Sequence, residues 1–94
     1  MHTRRVTITN QTGLHARPAA AIVSLAGQFS SEITLSKLDA AGEVVTSAPA
    51  KSVIFVLSMA LTRGTMVEIS AEGDDERTAV DALAGLIASG FEEG

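Results

Sequence analysis

Apolar and polar residues alternate in Arg5-Val6-Thr7-Ile8-Thr9, in Ser31-Glu32-Ile33-Thr34-Leu35-Ser36-Lys37 and in Thr65-Met66-Val67-Glu68-Ile69-Ser70-Ala71. A period of two predicts half-buried strands, with Val6, Ile8, Ile33, Leu35, Val67 and Ile69 turned inward. Between these stretches the period lengthens. Ala19, Ile22, Val23 and Ala26 share one stripe of a helix that starts near Ala16, with Gly27 as its C-terminal cap. Ala16, Ala20 and Ser24 then face outward as a shallow floor of small residues. After the turn Asp39-Ala40-Ala41-Gly42, Glu43-Val44-Val45-Thr46 predicts a short strand paired antiparallel with the one before it. Ser47-Ala48-Pro49-Ala50 reads as an irregular connector, because a proline cannot donate to a ladder.

A second helix begins near Ser52, runs through Leu61 and closes at Thr62-Arg63-Gly64. It is apolar nearly all round. Val53, Val56, Met59 and Ala60 suffice for a core stripe, leaving Ile54, Phe55, Leu57 and Ser58 on the other side. A domain this small has little with which to cover a second face, so a surplus patch for a partner is expected. Asp74 is expected to cap a third helix, whose stripe is Ala79, Val80, Leu83, Leu86 and Ile87 and which Gly90 ends. The outward strand residues Thr7, Thr9, Glu32, Thr34, Ser36, Glu68 and Ser70 are polar, so one sheet face is wet and all three helices cover the other. The expected architecture is an α+β open-faced sandwich in the order β-α-β-β-α-β-α. The tail Phe91-Glu92-Glu93-Gly94 is expected to be partly mobile.

At 94 residues the chain is read as one domain, 1–94. It has no cysteine, which removes disulfides, thiol catalysis and thiolate metal sites. No stretch reads as a signal peptide or membrane span, and a cytoplasmic monomer without cofactor is the expectation. His2 and His15 are too few for a dedicated metal site, so no metal is predicted. Charge is segregated. Arg4, Arg5, Arg17, Lys37, Lys51 and Arg63 face only Glu32, Asp39 and Glu43 in residues 1–64, whereas from Thr65 onward Arg77 is the sole cation among many carboxylates. The acidic C-terminal helix is read as solvated surface. Nucleic acid is excluded as a partner by the acidic balance and the absence of Tyr and Trp.

Candidate chemistry concentrates in Gly13-Leu14-His15-Ala16-Arg17-Pro18-Ala19-Ala20-Ala21. Gly13 permits a bend, and Pro18 fits only the first turn of a helix, so His15 falls at or beside the N-cap. Unpaired backbone N–H groups of Ala16 and its neighbours, the positive helix end and the Arg17 guanidinium together suit a phosphate. A neutral imidazole placed there has one ring nitrogen with a lone pair for attack on phosphorus.

These residues carry a family resemblance. Gly13 to Ala19 resembles the active-site signature of the HPr family of histidine phosphocarriers, and Lys51-Ser52-Val53-Ile54 resembles its second signature. Phe29 to Thr34, Gly64 to Ile69 and Ser70 to Glu76 are also similar to members of enterobacterial type, so the resemblance runs nearly end to end. It implies a four-stranded antiparallel sheet with three helices on one face. It also implies His15 as the phosphorylated residue and Arg17 as its phosphate-stabilising partner, with enzyme I as donor and an enzyme IIA component of sugar uptake as acceptor. The partner interface implied is Ala16, Ala20, Ile54, Phe55 and Leu57. Ser52 matches a serine that a dedicated kinase modifies in some members, although a serine at a helix start also serves as an N-cap. The connection Leu38 to Ala50 is longer than usual in the family, and Ser24 and Phe55 stand where many carriers present lysines. Other readings are a carrier of a regulatory, nitrogen-related relay, a domain of a dihydroxyacetone-kinase or multiphosphoryl relay, and a non-catalytic adaptor. A self-sufficient enzyme is not expected, since no acid–base pair or nucleotide loop accompanies His15.

Overall fold

The computed structural model describes residues 1–92 except 12 and 14. Its elements are β1 (His2–Thr7), α1 (Ala16–Ala26), β2 (Glu32–Leu38), β3 (Val44–Pro49), α2 (Val53–Ser58), β4 (Met66–Glu72), α3 (Glu76–Ala88) and a 3₁₀ turn (Gly90–Glu92). The order β-α-β-β-α-β-α is the one the alternation and stripes predict. All strand pairs are antiparallel, and the sheet runs β1-β4-β2-β3. Two consecutive strands thus pair only in the β2–β3 hairpin.

One face of this sheet meets the three helices, and there Ile33, Leu35, Val67, Ile69 and Ala71 interlock with Ala19, Ile22, Ala26, Val56, Ala79, Val80, Leu83 and Ile87. The predicted inward strand residues are all in this core except Val6, which is only half-buried at its margin, as are Val23 and Leu86 of the predicted helix stripes. Ile8 lies just past β1, yet it is fully buried and holds its ladder position through Ile8 N–H to Thr65 O (2.9 Å) and Gly64 N–H to Ile8 O (2.8 Å).

Several predicted boundaries shift, each for a visible reason. Residues 47–49 are not a connector but the second half of β3, and Pro49 stands opposite Thr34. Ala50 N–H donates to Ile33 O (2.9 Å), so the alternation of an antiparallel ladder turns the nitrogen of Pro49 away from β2. β3 is the sheet edge, so the missing donor faces outward and costs no ladder bond. The register slips beyond Lys37, leaving Val45 as the extra residue of a bulge and both Val44 and Val45 exposed. Proline and bulge together blunt this edge against pairing with other chains.

The second helix is shorter than its apolar run suggests. It stops at Ser58, because Ala60 takes a left-handed φ of 51° and Met59 and Ala60 close the end with N–H groups to Val56 and Leu57 carbonyls. Val56 and Met59 are core residues, but Val53 and Ala60, predicted to join them, are exposed. Gly27 ends α1 with a right-handed φ of −64°, so no left-handed cap forms there. Gly90, by contrast, has φ 70° just after α3.

The outer sheet face is not wholly wet. Ser36 and Leu38 are buried there, Ser36 sharing a hydroxyl hydrogen bond with Ser47 (2.9 Å). Arg5 donates from Nε to Glu68 (3.1 Å) and from a terminal nitrogen to the Gly42 carbonyl (3.5 Å), tying β1 to the tip of the β2–β3 hairpin. Of the tail, residues 93 and 94 lie outside the described residues.

Candidate functional site

The turn after β1 is fixed by one buried side chain. Asn10 takes the Gly13 N–H on its own carbonyl (3.1 Å), and its Nδ2 donates back to the Gly13 carbonyl at 2.6 Å. Gly13 has φ +66°, and a Cβ there would lie 2.7 Å from the Leu61 carbonyl oxygen and 3.0 Å from Thr62 Cα. Glycine is required twice over, for its left-handed backbone and for the close approach of the α2–β4 loop. Leu14 and Thr12 of the signature lie outside the described residues.

His15 donates its backbone N–H to the Gly13 carbonyl (3.3 Å), is extended at φ −97° and ψ −166°, and accepts the Ala19 N–H on its own carbonyl (3.0 Å). It is the N-cap residue of α1, and it is exposed. Pro18 follows in the first turn, buried, where its missing N–H removes no helix bond. The N–H groups of Ala16 and Arg17 have no acceptor inside the helix, and they sit at its positive end beside the imidazole. His2, in contrast, belongs to β1 and faces Asp81 of α3 at 3.7 Å.

The charge pattern around His15 follows from where the carboxylates fall. Residues 1–31 and 44–67 contain no Asp or Glu. These stretches supply α1, α2 and the loops beside them, so neither helix contributes a carboxylate of its own, although the molecule has net charge −4. Arg4 and Arg5 pair with Asp81 (3.3 Å) and Glu68 (3.1 Å) at the sheet. Lys37 and Lys51 donate to the Met59 carbonyl (3.4 Å) and the Phe29 carbonyl (2.7 Å). Arg17 is exposed, and it makes no ion pair among the described residues.

Helix α2 packs beside α1 and presents Ile54 at 74%, Phe55 at 57% and Leu57 at 38% exposure. Ala16 and Ala20 of α1 are exposed as well, so the five residues expected at an interface are all on the surface. Ser52 is the N-cap residue of α2 and accepts the Val56 N–H on its carbonyl (3.0 Å), but its hydroxyl makes no capping bond. Side-chain capping by Ser52 is therefore corrected: the backbone alone starts this helix. Concavities of about 400 and 560 Å³ lie beside β3 and at the hairpin tip.

Two residues that position this region escape the sequence reading. Asn10 is one; the Asn-x-x-Gly spacing of a tight turn is the signal that marks it. Asp75 is the other. It, and not Asp74, precedes α3, and its carboxylate does not cap the helix but accepts the N–H groups of Ser30 (2.8 Å) and Ser31 (3.0 Å) and the Ser31 hydroxyl. The Ser31 hydroxyl bond first, then the Ser30 N–H, hold the Asp75 carboxyl below its ordinary value against desolvation, with the Ser31 N–H adding a smaller share. Glu76 is lowered too, by the terminal ammonium first and then by the Gly73 N–H.

Comparison with known proteins places these features. The family described as the PTS HPr component phosphorylation site matches residues 2–89. The phosphocarrier protein HPr of Haemophilus influenzae is 46% identical over 87 residues, 93% of this chain and 95% of that one. The phosphocarrier protein NPr of Proteus mirabilis is 40% identical over 90 residues, 96% of this chain and 94% of that one. The crystal structure of HPr-C-His from Thermoanaerobacter tengcongensis superposes with a TM-score of 0.89 at 41% identity, over 100% of this chain and 99% of that one.

Proposed function

This chain belongs to the HPr family of phosphotransferase-system phosphocarriers, and on that premise we propose that it takes a phosphoryl group from phosphorylated enzyme I onto His15 and passes it to an enzyme IIA component of sugar uptake. The observation that carries this is an exposed His15 at the N-cap of α1, with Arg17 two residues on and no carboxylate in either flanking segment. In the transfer, the lone pair of a His15 ring nitrogen forms the new N–P bond as the donor's bond to phosphorus breaks. The departing electron pair stays on the donor. The developing charge on the phosphoryl oxygens faces the Ala16 and Arg17 N–H groups and the Arg17 guanidinium. No pocket is needed, because the group must pass from one protein to the next. Ile54, Phe55 and Leu57, with Ala16 and Ala20, form the docking surface of this reading, used by a cytoplasmic monomer. Ser52, whose hydroxyl is not spent on capping, is its regulatory phosphosite: a dianion there would place negative charge on a helix that has no carboxylate of its own.

The test is intact-mass measurement after incubation with phosphoenolpyruvate and purified enzyme I. Wild type and His2→Ala gain an acid-labile phosphoryl group, His15→Ala gains none, and Arg17→Ala keeps its fold but is phosphorylated more slowly. Equal gain by both histidine variants refutes the assignment. The likeness to NPr over 96% of the chain supports a second reading, transfer in a nitrogen-related relay. Offering the enzyme I proteins of both branches in the same assay separates the two.

A further inference from the structure

The backbone of a second arginine abuts the same turn. The α2–β4 loop touches Gly13 through three consecutive residues: a Cβ at Gly13 would meet Leu61 O, Thr62 Cα and, at 3.5 Å, the backbone nitrogen of Arg63. His15 is bonded to that same Gly13, N–H to carbonyl at 3.3 Å. The backbones of Arg63 and His15 thus both abut one glycine, and three methylenes of an arginine stem suffice to bridge from one to the other.

The loop bearing Arg63 is held firmly. Gly64 N–H donates to Ile8 O (2.8 Å), Thr65 N–H to Thr62 O (3.0 Å), and the Thr62 and Thr65 hydroxyls lie 3.3 Å apart. Ala60 at φ 51° and Gly64 at φ 91° bracket it with left-handed turns. Arg63 itself is exposed and makes no ion pair or hydrogen bond among the described residues, as is also true of Arg17 and Arg77. Every other cation of the chain is committed to a carboxylate or a carbonyl. Two of the three uncommitted arginines thus have their backbones at the His15 turn, and no carboxylate between residues 44 and 67 competes for the second.

We propose that Arg63 is a positioning residue for the carried phosphoryl group, its guanidinium facing the phosphoryl oxygens from the side opposite Arg17. The proposal rests on the phosphocarrier reading of His15. A cation so placed favours the dianionic phosphoryl form over the monoanion, and it clamps the group between two loops instead of leaving it on one helix end.

His15 is phosphorylated with phosphoramidate, a small phosphoryl donor that needs no protein partner, and the phosphohistidine is titrated by ³¹P NMR in wild type, Arg63→Gln, Arg63→Lys and Arg77→Gln, each carrying His2→Ala so that no second imidazole is loaded. Arg63→Gln raises the titration midpoint of the phosphoryl group by about half a unit or more, and Arg63→Lys restores part of that shift. Arg77→Gln leaves the midpoint unchanged. All four proteins give the same thermal melt, so the shift reports charge and not fold. A midpoint in Arg63→Gln equal to that of wild type, or an equal rise in Arg77→Gln, overturns the role of Arg63. Failure of wild-type His15 to hold a phosphoryl group at all overturns the carrier reading instead, and the Arg63 proposal with it.

Discussion

Three glycines separate conformational strain from steric contact in this fold. Gly85 is an exposed residue inside α3 with nothing within 4 Å of an added Cβ, Gly64 has φ +91° and equally open space, and Gly13 combines φ +66° with a contact of 2.7 Å to Leu61 O. Alanine at Gly85 should stabilise the protein by about 0.5–1 kcal/mol, the ordinary difference between the two residues in a helix interior. At Gly64 the left-handed backbone costs alanine roughly 1–2 kcal/mol, offset by about 0.4–1 kcal/mol because the unfolded chain is also stiffened. At Gly13 the same balance applies, with a backbone clash added. The neighbour is a main-chain carbonyl that cannot rotate away, so about 1–3 kcal/mol of overpacking follows and the total loss reaches about 2–4 kcal/mol. The assay is urea denaturation followed by far-ultraviolet circular dichroism, since the chain has no Trp or Tyr to report by fluorescence. The slope with urea should stay constant across the series. Because the Gly13 carbonyl anchors both Asn10 Nδ2 and the His15 N–H, Gly13→Ala should also slow phosphoryl acceptance more than Gly64→Ala does. A loss at Gly13 no larger than at Gly64 would show that loop contact contributes nothing, and a destabilising Gly85→Ala would refute the helix assignment behind the scale.

Two further outcomes test the anchoring and the docking surface. The Asp75 carboxyl is lowered from its ordinary 3.8 in the folded state, so its stabilisation is fully present above that value and is lost as pH falls through the lower folded one. Asp75→Asn should therefore lose stability to wild type at pH 7 and approach it below pH 3.8; a gap that persists undiminished in acid contradicts the ionised bond. Ile54→Glu, at a side chain 74% exposed, should leave the thermal melt nearly unchanged while weakening binding to enzyme I severalfold in titration calorimetry, and unchanged affinity removes this face from the interface.

What was legible in the sequence was whatever one strand or one helix decides alone. Alternation at Ile33 and Leu35 and at Val67 and Ile69 named the inner sheet face, and the stripe at Ala79, Val80, Leu83 and Ile87 named the inner face of α3. What was not legible depended on neighbours. Pro49 argues against a strand until the sheet order makes β3 an edge, and the apolar run after Ser52 argues for a long helix until Ala60 adopts a left-handed turn. Asp74 and Asp75 are equivalent as local caps; only the serine pair 44 and 45 residues away chooses between them. At the site, His15 and Arg17 were marked by their spacing from Pro18, whereas Asn10 and the contact of Gly13 with the α2–β4 loop required tertiary structure.

Exposure of His15 is itself part of how a carrier would work. Opposite unit charges about 4 Å apart attract by about 1 kcal/mol in water, but by about 4 kcal/mol at the effective dielectric near a protein surface. A phosphoryl dianion buried between Arg17 and Arg63 would gain several times more than one held at the surface, and the barrier to handing it on would rise by whatever the next protein failed to match. An open N-cap with solvent-exposed guanidiniums keeps that stabilisation small until a partner excludes water. The apolar patch at Ile54, Phe55 and Leu57 then has two consequences. As the proposed docking surface it would supply affinity that does not depend on whether His15 is loaded, and on docking it would lower the dielectric around the transferring group, when strong electrostatic stabilisation of the transition state is useful. The sequence adds to this arrangement, because segments 1–31 and 44–67 contribute no carboxylate of their own to oppose a second anion arriving with the partner.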